Sequence, residues 1–358
     1  MGENSMKTEK CPTVVAHGRA QSNSGLSIPI TTDDITTMAA GLQQEIDVRF
    51  TPKRSDAERL AGVYDEIYRR LLAPSYQRRA ELVSQCGTFL EYQVAEQDSR
   101  LHRANFCRDR LCPLCTWRRS LKIYAQISRV MDVLQERGYQ FLFLTLTIRN
   151  RPGADLPDAV QQLYDGWRKL YHKHSVFRRQ VQGTFRSLEV TRNEQTGEYH
   201  PHLHCILAVR PSYFDGKNYL PKNAWRKMWR ECAGLDYEPQ VDIQRIKPRA
   251  GADGSASLAG AAAEVAKYAV KSADFLHGSL DDMVACVSDY LLALAGRRLC
   301  AYTGVFGRVR RELALDDIED GDLVRVDGTG IRPDIAYMIV RYHWRAGVYV
   351  REIADPGK

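Results

Sequence analysis

The sequence predicts an α+β protein built around an antiparallel sheet of the split β-α-β kind, with helices on the faces of the sheet. Three observations lead there. Runs rich in β-branched, aromatic and aliphatic residues occur at 139–148, 184–191, 202–209 and about 240–246. Helically spaced apolar residues fill 155–174 and 221–232 between them, the second stretch opening on Pro221. Residues 192–198, with Gly197, are a short turn-forming link that makes a hairpin of the second and third strands. With a small-residue helix over 257–273, the order becomes β-α-β-β-α-β-α, a ferredoxin-like sheet plus one added helix.

The flanks follow from composition and period. Residues 1–45 are rich in Ser, Thr, Gly and Asn without a sustained repeat and are read as a tail with no assigned fold. In 46–137 a helical stripe (Leu60, Val63, Tyr64, Ile67, Leu71) leads into a cysteine-rich segment, giving a small helical module ahead of the sheet domain at 138–275. Residues 276–358 form an extension: an apolar helix over 280–295, a basic then acidic stretch over 306–326, and two short strands within 335–353.

Bulk numbers exclude several classes. The 358 residues carry 51 Lys+Arg against 44 Asp+Glu, a charge of +7 that favours a polyanionic partner only mildly. Residues 1–10 lack the apolar core of a secretory signal and no run approaches a membrane span, so a cytoplasmic location without membrane attachment is expected. In a reducing compartment clustered cysteines point to metal rather than to disulfides. Cys107, Cys112 and Cys115 have spacing that suits tetrahedral Zn²⁺, whereas Cys11, Cys205, Cys232, Cys286 and Cys300 are scattered and read as reduced thiols.

Charge distribution says more than the total. Between Trp167 and Arg186 stand Arg168, Lys169, Lys173, Arg178, Arg179 and Arg186 with no acidic residue, a surface able to bind phosphates. Around the cysteines, Arg108, Arg110, Arg118 and Arg119 are expected to be presented to DNA by the zinc module, which would position DNA without cutting it. Trp225 and Trp229, one turn apart, are expected in the core.

The segment His200-Pro201-His202-Leu203-His204 carries chemistry. Alternate side chains of a strand share a face, so His202 and His204 sit with Cα atoms about 6.6 Å apart, close enough for two imidazoles to bind one ion. The third ligand is Glu189, on the neighbouring hairpin strand, or His200; Pro201 suits a strand's beginning and so puts His200 at the sheet edge, which favours Glu189. Imidazoles plus a carboxylate with open positions suit Mg²⁺ or Mn²⁺ acting as a Lewis acid on phosphate. On the later helix Glu264, Tyr268 and Lys271, at i, i+4 and i+7, share one face, while Val265, Ala266, Ala269 and Val270 supply apolar positions elsewhere.

Together these features resemble the replication initiators of rolling-circle plasmids, within the His-hydrophobic-His (HUH) tyrosine endonucleases. Phe143-Leu144-Thr145-Leu146-Thr147 looks like the first family motif, the histidine strand like the metal motif, and Glu264-x-x-x-Tyr268-x-x-Lys271 like the nucleophile motif, in the family's order. The resemblance covers residues 86–312 and includes Asn105-Phe106-Cys107, Arg118-Arg119-Ser120-Leu121-Lys122 and Leu188-Glu189-Val190-Thr191. It implies that Tyr268 attacks a phosphate at a double-stranded origin, leaving a 5′-phosphotyrosine and a 3′-OH primer. Lys271, with Lys267 as an alternative, would steady the phosphate and phenolate. Glu264 would activate water to end one round of copying.

The same resemblance completes the zinc site with Cys86, His102 being the alternative fourth ligand. It also implies single-stranded DNA, a host helicase and a host DNA polymerase as partners, and sets no oligomeric state. Two other readings compete. A transposase of single-stranded circles uses the same chemistry, often with paired tyrosines where this chain has Glu264 and Tyr268; a non-enzymatic zinc-containing DNA-binding protein would use the histidines only as structure.

Overall fold

The computed structural model describes residues 32–95, 98–247, 249–250, 256–266, 272–326 and 337–353. Three helices lead in, α1 (Thr32–Arg49), α2 (Thr51–Leu71) and α3 (Pro74–Ser84). Part of α1 lies where composition suggested only a tail. Leu42, Ile46 and Phe50 are buried at four-residue spacing, a stripe that docks the end of this helix on the core.

A hairpin not anticipated from the sequence follows, β1 (Phe89–Ala95) and β2 (Asp98–Ala104), and then the long helix α4 (Pro113–Glu136). The central elements are β3 (Gln140–Thr147), α5 (Leu156–Lys173), α6 (Ser175–Gln180), β4 (Val181–Arg192), β5 (Tyr199–Val209), α7 (Lys222–Ala233) and β6 (Val241–Ile246). The remainder comprises the two-residue strands β7 (Arg249–Ala250) and β8 (Ala256–Ser257), then α8 (Ala259–Val265), α9 (Leu280–Leu294), β9 (Cys300–Thr303), α10 (Gly304–Glu312), β10 (Met338–Arg345) and β11 (Val348–Ile353).

The main sheet has the order β6-β3-β5-β4-β9, with every neighbouring pair antiparallel. Its first four strands in sequence lie in the order fourth, first, third, second, which is the expected split β-α-β arrangement. The late strand β9 extends it beyond β4. Just past its end the backbones cross closely: at Gly304, the first residue of α10, with φ of +54°, a Cβ would stand 2.2 Å from the Gln182 carbonyl oxygen, so only glycine fits. A second sheet, β11-β10-β1-β2, pairs the late hairpin β10-β11 with the earlier hairpin β1-β2, so the expected C-terminal extension hydrogen-bonds into both sheets.

Alternation divides the main sheet into two faces. Arg186 points away from Ser187 and lays its guanidinium 4.5 Å over Tyr164 of α5, while Trp229 of α7 donates Nε1–H to the Thr147 carbonyl at 2.8 Å. Trp225 and Trp229 are thus core residues, as expected. On the opposite face Ser187 Oγ donates to the Val265 carbonyl of α8 at 3.0 Å and Phe141 meets Phe306 of α10. Among the described residues no helix is long and apolar enough to cross a membrane.

β5 begins at Tyr199, three residues before the expected start. Pro201 therefore lies inside the strand. The β3 pairing ends at Thr147 opposite His202, so Pro201 has only β4 alongside it, which tolerates its missing N–H.

Candidate active site

Register brings three ligand types together. Glu189 of β4 lies opposite His202 of β5, and His204 lies between Ser187 and Thr145 of β3, all on the face that α8 covers. Glu189 Oε2 is 2.9 Å from His204 Nε2 and 3.4 Å from His202 Nε2, and all three side chains are buried. Their ligand atoms fall within 4.8 Å of one another. Ligands at bond lengths of about 2.1 Å around an octahedral ion are separated by roughly 3 Å, so the donor set fits a small divalent cation.

The rings are held from behind. His202 Nδ1 donates to the His200 carbonyl at 3.0 Å, and His204 Nδ1 lies 3.2 Å from Thr145 Oγ1. These contacts turn both Nε2 atoms toward the carboxylate. Burial opposes ionisation of Glu189, but hydrogen bonds from His202 and His204 outweigh it and hold the carboxyl well below the usual carboxylate range. His200 stands apart from the cluster, with its Nδ1 2.8 Å from Asn150 Oδ1. Glu189 closes the cluster in its place.

An open groove of about 570 Å³ runs beside His204, lined also by Phe143, Thr145, Asp242, Gln244 and Glu264. Glu264 reaches it from α8, which runs from Ala259 to Val265 rather than over the whole expected 257–273. Tyr268, Lys267 and Lys271 lie outside the described residues. Thr145 sits in a stretch singled out as a motif, yet its contact with a ring nitrogen was missed; its position opposite a histidine becomes evident only once β3 is paired with β5.

The cysteine cluster is a separate centre. Cys86 follows α3, Cys107 sits in the loop after β2, and Cys112 and Cys115 flank the start of α4. Sulfur separations are 3.6 Å for Cys86–Cys115, 3.7 Å for Cys107–Cys115 and 3.5 Å for Cys112–Cys86. A tetrahedron with Zn–S bonds of about 2.3 Å has edges of about 3.8 Å, so the four sulfurs fit Zn²⁺, and His102 is not among them. The amides of Cys107 and Arg108 donate to Cys86 Sγ and Cys115 Sγ at 3.3 and 3.2 Å. The second bond helps hold Arg108 at φ +63°, in the left-handed region. Hydrogen bonds from Cys107, Cys112 and Cys86 pull the Cys115 thiol well below its ordinary value, while burial pushes Cys112 up. A dication at the centre would favour the thiolate form of all four.

The basic residues of this module correct the sequence reading. Arg118 and Arg119 are buried, not presented to DNA. Arg118 donates to the Leu323 and Val324 carbonyls at 2.8 and 2.7 Å, and Arg119 to the Arg108 and Asp109 carbonyls at 2.6 and 3.0 Å. Arg110 donates to the Leu294 and Arg297 carbonyls, and Lys122 pairs with Asp316 at 2.6 Å. An acidic loop about 200 positions later supplies acceptors to Arg118, Arg119 and Lys122, because buried cationic groups need them. Arg108 stays exposed while donating to the Asp320 carbonyl, and Arg178 and Arg179 are exposed on α6.

Comparison with known proteins agrees with these features. The family model described as "Replication protein" matches residues 98–350. "Protein rep" of Bacillus amyloliquefaciens is 36% identical over 310 residues, covering 83% of this chain and 91% of that protein. "Protein rep" of Lactiplantibacillus plantarum is 38% identical over 265 residues, covering 72% and 82%. "Replication protein" of Staphylococcus aureus is 30% identical over 237 residues, covering 65% and 97%. No solved structure matches the chain. The chain belongs to the replication protein family, as its resemblance to rolling-circle plasmid initiators implied.

Proposed function

We propose that the chain starts rolling-circle replication by nicking one strand of a double-stranded plasmid origin. The phenolic oxygen of Tyr268 attacks the scissile phosphorus, the P–O3′ bond breaks, and the products are a 5′-phosphotyrosine and a 3′-OH that a host polymerase extends. Mg²⁺ or Mn²⁺ held by Glu189, His202 and His204 would supply Lewis acidity at the phosphate. Zn²⁺ held by Cys86, Cys107, Cys112 and Cys115 would be structural.

The protein's own groups divide the remaining work. Glu189, kept ionised among its histidines, neutralises charge at the site, and the contacts behind His202 and His204 fix both rings without a search over rotamers. Lys271 steadies the phosphate and the phenolate. When the origin is regenerated, Glu264 accepts a proton from water as the water oxygen attacks phosphorus, the P–O3′ bond of the new junction breaks to leave a 3′-OH, and the round ends without a second protein-DNA bond. Arg178 and Arg179 contact DNA phosphates, and a host helicase opens the duplex ahead of the polymerase.

The observation carrying this reading is the convergence of Glu189, His202 and His204 on one sheet face beside a groove that Glu264 also lines. Supercoiled plasmid bearing the origin should relax with Mn²⁺ or Mg²⁺ and yield a covalent peptide-oligonucleotide adduct at Tyr268 by mass spectrometry. Tyr268→Phe should abolish both. Unchanged nicking by that variant would remove Tyr268 from the mechanism.

A further inference from the structure

The side of the sheet away from the Glu189-His202-His204 cluster is covered by α5 and α7, with α6 beside them. These helices pack tightly. A Cβ on Gly166 of α5 would stand 2.9 Å from both the Ala233 Cβ and the Trp229 ring of α7, and Gln162 Nε2 donates to the Ala233 carbonyl at 3.0 Å. Phe177 of α6 meets Trp167 of α5 and Trp225 of α7, each at 6.0 Å between ring centroids.

With the aromatic residues turned inward, the outer positions are strongly basic. Lys169 and Lys173 on α5, Arg178 and Arg179 on α6, and Lys227 and Arg230 on α7 are all exposed. Arg226, Lys227 and Arg230 line a groove of about 670 Å³ together with Glu231 and Glu238, and Arg230 pairs with Glu238 at 2.8 Å. Basic residues outnumber acidic ones across the three helices. A solvated helix face would need no such bias, whereas a polyphosphate backbone would.

We propose that this three-helix face holds the phosphate backbone of duplex origin DNA while the strand to be cut lies in the groove on the opposite side of the sheet. The duplex contact needs no metal and no tyrosine; its role in positioning the cut rests on the nuclease reading above. The two faces are separated by the sheet and one layer of helices, on the order of 20 Å. At 3.4 Å per base pair, phosphates held by α5 to α7 lie at least about six base pairs from the nick. The origin must therefore bend around this edge of the protein or extend past it.

The test uses the full chain and two measurements. Binding of an origin duplex in EDTA, followed across salt concentrations, should give a steep linear fall of log affinity with log salt. In the double variant Lys227→Gln, Arg230→Gln that slope should drop by about 1.8, at about 0.9 for each phosphate no longer neutralised, with several-fold weaker binding near 0.1 M salt. Cleavage of a short single-stranded origin oligonucleotide with Mn²⁺ should stay at the wild-type rate. An unchanged slope, or cleavage that falls in step with duplex binding, overturns the assignment. If the wild-type chain fails to cleave the oligonucleotide yet the slope still drops, the nuclease reading falls and the duplex-binding face stands.

Discussion

The two candidate metal centres are built by opposite means. The cysteine centre is closed: four sulfurs from a helix end, a loop and a helix start meet in mutual contact, and backbone amides fill part of the space around them. The histidine centre is open: two rings and a carboxylate stand on rigid strands with a groove beside them. Loops need an ion to hold them together, whereas strands already paired do not. The contrast is what supports the proposal of a structural role for the first centre and a chemical role for the second.

The sharpest way to break this contrast is to remove one ligand from each. Structural zinc contributes on the order of 10 kcal/mol to folding, so Cys112→Ser should lose bound zinc and the cooperative thermal transition together. A variant that melts normally without zinc would make the cluster a set of packed thiols. His202→Ala should keep zinc content and melting temperature while losing Mn²⁺-dependent nicking by more than about a hundredfold, above the range expected for an outer-shell partner. Loss of zinc in that variant would show that the two centres had been confused. A smaller effect on the first cut is expected from Glu264→Ala: normal initial nicking, but a water step slowed by about 10²-fold or more, giving products longer than one plasmid unit. Products of unit length would leave Glu264 without the closing role.

The two centres also differ in how far they could be read from sequence. Strand alternation alone puts His202 and His204 on one face, and the hairpin link brings Glu189 alongside, so the open site was visible before any fold. The surroundings of the cysteines were not. Arg118 and Arg119 looked like a DNA-facing cluster because their acceptors, among them the carbonyls of Glu319, Leu323 and Val324, arrive from about 200 residues away. The short strand β9 escaped notice for the same reason, since its partner β4 is remote and sets the pairing.

The smallest predicted effect probes what holds the open site ready. Thr145 Oγ1 lies 3.2 Å from His204 Nδ1, while Nε2 of the same ring is 2.9 Å from Glu189 Oε2. With the Nδ1 proton donated to threonine, the other nitrogen can present its lone pair to a cation at the carboxylate. Valine keeps the shape of threonine and removes the acceptor. Thr145→Val should therefore weaken Mn²⁺ binding by about 10- to 100-fold in a calorimetric titration of the full chain, without loss of zinc. Thr145→Ser, which restores the oxygen and deletes a methyl group, should recover most of that affinity. A merely structural threonine would give the reverse, with valine binding Mn²⁺ like the wild type and serine the more perturbed of the two, because in that case the methyl contact and not the hydroxyl would be what positions the ring.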